Sequence, residues 1–343
     1  MRLDEAAEAV FARHETFHPR WGWVKKAYDA ASRSPHAFNA DDATLRLGVG
    51  KNMVRSIRFW DAAAKVLEDV PDPERPRQQV VLPTASGRTL FSDNAYDPYT
   101  EDPGSLWLLH WRLLAPPCLL PVWWAAFNEF GAVEFSDEDL EAFVADQVQS
   151  MSSWTAPHPS TIGKDVSCLL RTYALSVSSR QAFDDLVDCP LRELGLLRTL
   201  VQGRRVYRFN VGPKPTLPPA VALFVALDFL ARSDDGSRTV TMSRLATEPG
   251  GPGRAFKLSE ADLGDLIERA VAVHRGVRIA RPAGITQLGF DEPAATLADK
   301  VLASYFAASR RTPTSHDPNV TAPVAGRVSD RGIRDNLALL RAG

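Results

Sequence analysis

A glycine turn leading into a two-faced helix constrains this chain more than any other segment. Gly48-Val49-Gly50 makes a tight turn, and the spacing predicts a helix over 51–67. Met53, Ile57, Trp60, Ala64 and Leu67 fall on one side of that helix. Lys51, Arg55, Arg58 and Lys65 fall on the other, with Ala62 between them. From Arg46 to Lys65 there are five bases and one acid, Asp61. A short helix over 42–47, capped by Asn39 or Asp41, precedes the turn. Short helix, glycine turn and amphipathic helix with a basic outer face is the sequence form of a helix-turn-helix. On this reading Lys51, Arg55, Arg58 and Lys65 contact DNA phosphates, and Asn52 or Ser56 reaches base edges. The plainer reading is a solvated basic face. GVGKN also has the look of a nucleotide-binding loop. It lacks the terminal Lys-Ser/Thr, Asn52 standing where a metal-binding hydroxyl is needed, so no nucleotide cofactor is expected.

Composition limits what surrounds this unit. The 343 residues carry a formal charge of −2, so any attraction to nucleic acid is local. Cys118, Cys168 and Cys189 are far apart and form no CxxC pair, which argues against a zinc site and against a disulfide framework. A reduced, cytoplasmic setting is expected. The first residues are acidic and amphipathic, unlike a secretory signal. The longest apolar run, 113–127, is interrupted by Pro116, Pro117 and Pro121, so no membrane span is expected.

Along the chain, helices are predicted over 3–13, 21–33, 104–114, 121–130, 136–149 (with a SDED capping box), 160–174, 220–231, 259–273 and 294–307. Short strands are predicted over 80–82 and 89–91 around Ser86-Gly87, and a hairpin over 277–290 around Pro282 to Gly284. Trp107, Trp111, Trp123 and Trp124 read as a dense aromatic core. A ribbon over 191–209 places Gly203, Arg204 and Arg205 at its tip, where the two arginines suit minor-groove or phosphate contact. The fold class is therefore mainly α with small β-ribbons, arranged as tandem winged-helix or helix-turn-helix-like units. PDPERPR (71–77) reads as a linker, giving domains at 1–70, 78–212 and 213–343. The last of these ends in an extended polar arm over 311–327.

Several side chains carry chemistry. His14, Glu15, His18 and Arg20 lie within seven residues. A histidine or carboxylate there suits water activation in phosphodiester hydrolysis. His14-Glu15-x-x-His18 also has the HExxH form of zinc proteases, which needs a helix through both histidines; Pro19 argues against one. The structural alternative is a polar cluster, with the histidines bonded to Asp41 or Asp42. Those two aspartates are the nearest oxygen ligands for a divalent metal, Mg2+ or Mn2+. Asp97, Glu101, Asp102 and His110 form a second acidic set, mostly explained by capping of the helix over 104–114. Trp21, Trp23 and Tyr28 read chiefly as core, with Trp21 the best placed to stack on an unpaired base.

The runs FARHETFHPRWGWVKKAYDA, LGVGKNMVRSIRFW, DPYTEDPGSLWLLHWRLL and DCPLRELGLL, spread over residues 11–310, resemble the SspB-like family of bacterial proteins, long filed as a domain of unknown function. The family occurs beside DNA phosphorothioation genes. The resemblance implies DNA binding and nicking of one strand in a single-strand phosphorothioation and phage-defence system. It also implies partners: a cysteine desulfurase, an ATPase and an ATP-pyrophosphatase-like subunit. It brings no list of catalytic residues. The alternative role is a non-catalytic DNA-binding or scaffolding subunit, and a homodimer is one assembly either role allows. A transcription regulator would need an operator-sized sequence preference.

Overall fold

The computed structural model describes residues 1–175, 188–202, 204–233 and 236–310, with only the backbone at 201, 202 and 204. The arm expected over 311–327, and Gly203 at the ribbon tip, lie outside these residues. Met1–Ala308 forms one compact unit. Its buried apolar side chains, from Leu3 to Phe306, make one continuous core. The architecture is mixed α/β, with three small sheets among the helices. No helix among the described residues is long and apolar enough to cross a membrane.

The first third holds helices α1 (Leu3–Ala6), α2 (Trp23–Arg33), α3 (Ala43–Leu47) and α4 (Lys51–Ala63). The expected helix over 3–13 stops after one turn. Ala7 instead bridges to Cys118, and positive φ at Ala12 (54°), Glu15 (51°) and Thr16 (66°) turns the chain into an irregular loop. The α3–α4 turn forms as expected, with Gly48 at φ +64°. α4 is shorter than the predicted 51–67. Lys65 takes φ +57°, the Val66 N–H closes on the Asp61 carbonyl at 2.9 Å, and the chain leaves as a strand. That strand, β1 (Leu67–Pro71), pairs antiparallel with β2 (Gln79–Pro83). PDPERPR is thus the end of β1 and the loop of a hairpin, not a free linker. The strand expected at 89–91 is helix α5 (Ala85–Phe91), started by Thr84, whose hydroxyl accepts the Gly87 N–H. Gly87 is required there: a Cβ would lie 2.2 Å from the Val66 carbonyl oxygen.

The middle of the chain is built on α6 (Pro103–Leu114), whose tryptophans Trp107 and Trp111 are buried with Trp123 and Trp124 of α7 (Pro121–Trp124). Burying such rings contributes about 2–3 kcal/mol each. α7 widens into a π-helical turn, Ala125–Glu129, and the Lys257 ammonium donates to its Phe127 carbonyl at 2.8 Å. Next come β3 (Glu134–Phe135), α8 (Asp137–Gln149), α9 (Pro159–Tyr173) and β4 (Ala174–Leu175), then a 3-10 turn, Pro190–Leu194. β5 (Leu197–Gln202) and β6 (Arg204–Phe209) form the expected ribbon, in a sheet ordered β3-β6-β5-β4. The SDED capping box at Ser136 and Asp139 is present.

The last part opens with α10 (Pro219–Ser233). It continues through β7 (Thr239–Thr241), α11 (Met242–Thr247), α12 (Pro252–Phe256), α13 (Glu260–Val271), β8 (Val277–Ala280), β9 (Gln287–Phe290) and α14 (Ala294–Ser309). Its sheet runs β7-β9-β8. In both later sheets a short strand is followed by helices and then by a hairpin, and that first strand lies against the hairpin's second strand.

Candidate functional site

The loop over 11–22 has no ladder of its own and is fastened by side chains. His14 Nδ1 accepts the Thr16 N–H at 3.0 Å, which puts the ring proton on Nε2. Nε2 donates to Asp165 Oδ1 of α9 at 2.6 Å. Asp165 also accepts the Ala12 N–H at 2.9 Å. The His14 ring is 1% exposed and stacks on Trp60 of α4, centroids 6.2 Å apart. Both ring nitrogens are engaged inside the protein, so His14 fixes the loop and offers no lone pair to a water or a metal. No helix carries His14 and His18, so the HExxH register does not form.

His18 stands differently. Its Nε2 bonds the Asp188 carboxylate, while Nδ1 is buried without a partner. Asp188 also faces Arg20 Nε at 3.5 Å and Arg192 Nη1 at 3.8 Å. Arg171 of α9 donates to the Thr16 carbonyl at 2.7 Å. Burial holds the His18 imidazole below its ordinary pKa, against the opposing pull of Asp188. The result is a neutral-leaning imidazole oriented by a carboxylate and bordered by guanidinium groups. The Asp188 and Arg20 side chains are 39% and 43% exposed, so the cluster opens to solvent. This arrangement can bind an anion and move a proton. The partners expected for the histidines, Asp41 and Asp42, are not the ones found. Asp165 and Asp188 lie some 150 and 170 residues further on. Spacing along the chain cannot reveal such pairs. The only sequence signal was DCPLRELGLL, which begins with Asp188 and contains Arg192.

The loop and the basic helix meet. Glu15 Oε1 lies 3.5 Å from Arg55 Nη1, and Trp60 Nε1 donates to the Phe17 carbonyl at 2.9 Å. On α4, Lys51, Asn52 and Arg55 are exposed, whereas Ser56 is buried. Arg58 turns toward the β1 hairpin, pairing with Asp69 at 2.9 Å and donating to Asn39 Oδ1 at 3.0 Å. Lys65 is not on the outer face. It lies beyond the helix, with Nζ donating to the Arg112 carbonyl at 2.6 Å. Arg205 is exposed on β6, and the side chain of Arg204 lies outside the described residues.

Asp41 is exposed, and Asp42 Oδ2 binds Arg46 Nε at 2.7 Å. Among the described residues no group of three or more His, Cys, Asp or Glu side chains could hold a metal ion. Asp41 and Asp42 belong to no such group. The second acidic set is structural, as expected. Asp97 accepts the Glu101 and Asp102 N–H groups, and Asp102 caps Gly104 at 2.8 Å. His110 is sealed between the Tyr173 hydroxyl (2.8 Å) and the Ala255 carbonyl (2.9 Å). Trp23 and Tyr28 are core, while Trp21 is 36% exposed.

A family model described as "Protein of unknown function (DUF4007)" matches residues 11–306. The chain belongs to the DUF4007 family. Two solved structures are similar to this DUF4007 chain over nearly their full length. One, "SspB crystal structure", is 38% identical, covers 92% of this chain and 93% of its own, and has a TM-score of 0.83. The other, "Magnesium ion-bound SspB crystal structure", is 37% identical, covers 91% and 92%, and has a TM-score of 0.84. The family read from the sequence is thus the one found. No curated protein matches the chain.

Proposed function

We propose that this protein binds DNA and hydrolyses one phosphodiester bond, nicking a strand in a single-strand phosphorothioation and phage-defence system. One observation carries the reading. The exposed Lys51, Asn52 and Arg55 on α4 adjoin, through the Glu15–Arg55 contact, the loop that holds the half-open His18–Asp188–Arg20–Arg192 cluster. The cations bind phosphates, and His18 exchanges the proton, oriented by Asp188. His14, with Asp165, positions the loop. Exposed Arg205 on β6 offers a further phosphate contact. The succession of strand, helices and hairpin in the two later sheets supports winged-helix-like units. Mg2+ or Mn2+ enters through the magnesium-bound relative, with Asp41 and Asp42 as its candidate carboxylates. The partners in this reading are a cysteine desulfurase, an ATPase and an ATP-pyrophosphatase-like subunit.

The test is relaxation of supercoiled plasmid across a series of divalent metals. We expect nicking that falls at least about 100-fold in folded His18→Ala, the scale of a lost acid–base group. Lys51→Ala with Arg55→Ala should instead weaken binding and lower the salt slope of log K by about 2. Plasmid that is bound but never nicked under any metal would leave the second reading, a non-catalytic DNA-binding or scaffolding subunit. The sealed environment of His14 favours that reading.

A further inference from the structure

The ends of α4, α6 and α10 bring together three basic side chains and one carboxylate. Lys65, immobilised past the end of α4, donates to the backbone carbonyl of Arg112 at 2.6 Å and to that of Ala63 at 3.3 Å. On α10, the Asp228 carboxylate is already matched. It accepts Trp111 Nε1 at 2.6 Å and pairs with Arg232, whose guanidinium lies 5.5 Å from the Trp111 ring centre. The Arg112 guanidinium has no hydrogen-bond partner for Nη1, and that nitrogen is buried. Glu8, the other acid nearby, is exposed; its N–H bonds the Cys118 carbonyl at 2.9 Å.

The charge balance is uneven. Asp228 is the one carboxylate whose charge reaches Lys65, Arg112 and Arg232 alike, so three cations share a single acid. Buried charge is normally paired, and a buried guanidinium nitrogen with no acceptor is costly. A planar guanidinium beside an ammonium is the donor set that phosphate and sulfate accept. We propose that Arg112 and Lys65 form a binding site for a tetrahedral oxyanion, with phosphate as its chemical class. Burial lowers Lys65 to about 8 and Arg112 to about 10, the direction expected of cations awaiting a counter-charge. The site does not depend on the DNA reading, because free phosphate suffices to fill it. The 5′-phosphate of a DNA strand offers the same chemistry.

Thermal unfolding of the full chain at pH 7, in phosphate against chloride at equal ionic strength, tests the site. We expect phosphate to raise Tm by at least about 2 °C when well above its Kd. Arg112→Met or Lys65→Met should remove the response, and Arg112→Lys should keep part of it. Should a Met variant fail to fold, phosphate titration calorimetry of the unmodified protein at pH 7 and pH 9.5 replaces it. Affinity should then fall several-fold at the higher pH as Lys65 loses its proton. Short oligodeoxynucleotides with and without a 5′-phosphate separate the sources. Competition with inorganic phosphate by the phosphorylated strand alone assigns a strand end, and by neither strand assigns a free anion. Phosphate acting no better than chloride, or acting undiminished in folded variants at both positions, overturns the site.

Discussion

His14 and His18 are four residues apart and have opposite circumstances. His14→Ala removes a buried ring with two internal hydrogen bonds, and leaves the Asp165 carboxylate short of a donor. It should cost about 3 kcal/mol of stability, measured by urea denaturation. His18 borders solvent-exposed groups, so His18→Ala should cost under about 1.5 kcal/mol while affecting any nicking directly. His110 gives a pH signature. Burial lowers its folded-state pKa from the usual 6.5 to about 4. Between those values the unfolded chain binds the extra proton, so stability is full above pH 6.5 and is lost as pH falls toward 4. The loss from this group is about 3 kcal/mol, readable as a Tm that declines through this window. None of these differences shows in a list of residues. HETFH has the form of a metal-binding helix, Pro19 argues for a loop, and only remote Asp165 and Asp188 settle its contacts.

At the scale of elements, periodicity was informative wherever a helix had one wet and one dry face. α2, α4, α8, α9 and α13 lie within three or four residues of their expected bounds. α4 ended early because Lys65 adopts a left-handed backbone that no apolar pattern encodes. The misread stretch at 84–91 shows the same limit. Thr84 caps a helix that packs so closely on Val66 that position 87 has no room for a side chain. Gly87→Ala should therefore destabilise the protein by more than about 2 kcal/mol, as seen by a fall in Tm, although alanine is the better helix former. PDPERPR was legible as a turn by its prolines. That it joins two paired strands was not, because Leu67–Pro71 carries Glu68 and Asp69 and looks like the frayed end of a helix. The contacts of the histidine loop were illegible.

Across the whole molecule the core runs without interruption from Leu3 to Phe306, so stability is a property of the assembly of small units. Three lysines are built into it. Lys257 is held down to about 7, and Lys65 and Lys214 to about 8, each by burial. The unfolded lysine keeps its proton up to about 10.5. Between pH 7 and that value the unfolded chain binds more protons, so stability rises with pH. Tm at pH 9 should exceed Tm at pH 7 in chloride buffers, and the increment should shrink in Lys257→Met. The family was legible from long ordered runs. The two later sheets were partly legible: the hairpins carried turn residues, whereas β3, β4 and β7 are two or three residues long and leave no pattern. The cysteines have a practical consequence. Cys118, Cys168 and Cys189 are all free and fully buried. Burial raises their thiols, Cys118 to about 11 and Cys189 to about 12, so almost no thiolate is present at neutral pH. The folded protein is therefore silent to maleimide dyes, and a single cysteine placed at exposed Asn52 would accept one fluorophore on α4 with every native cysteine left in place.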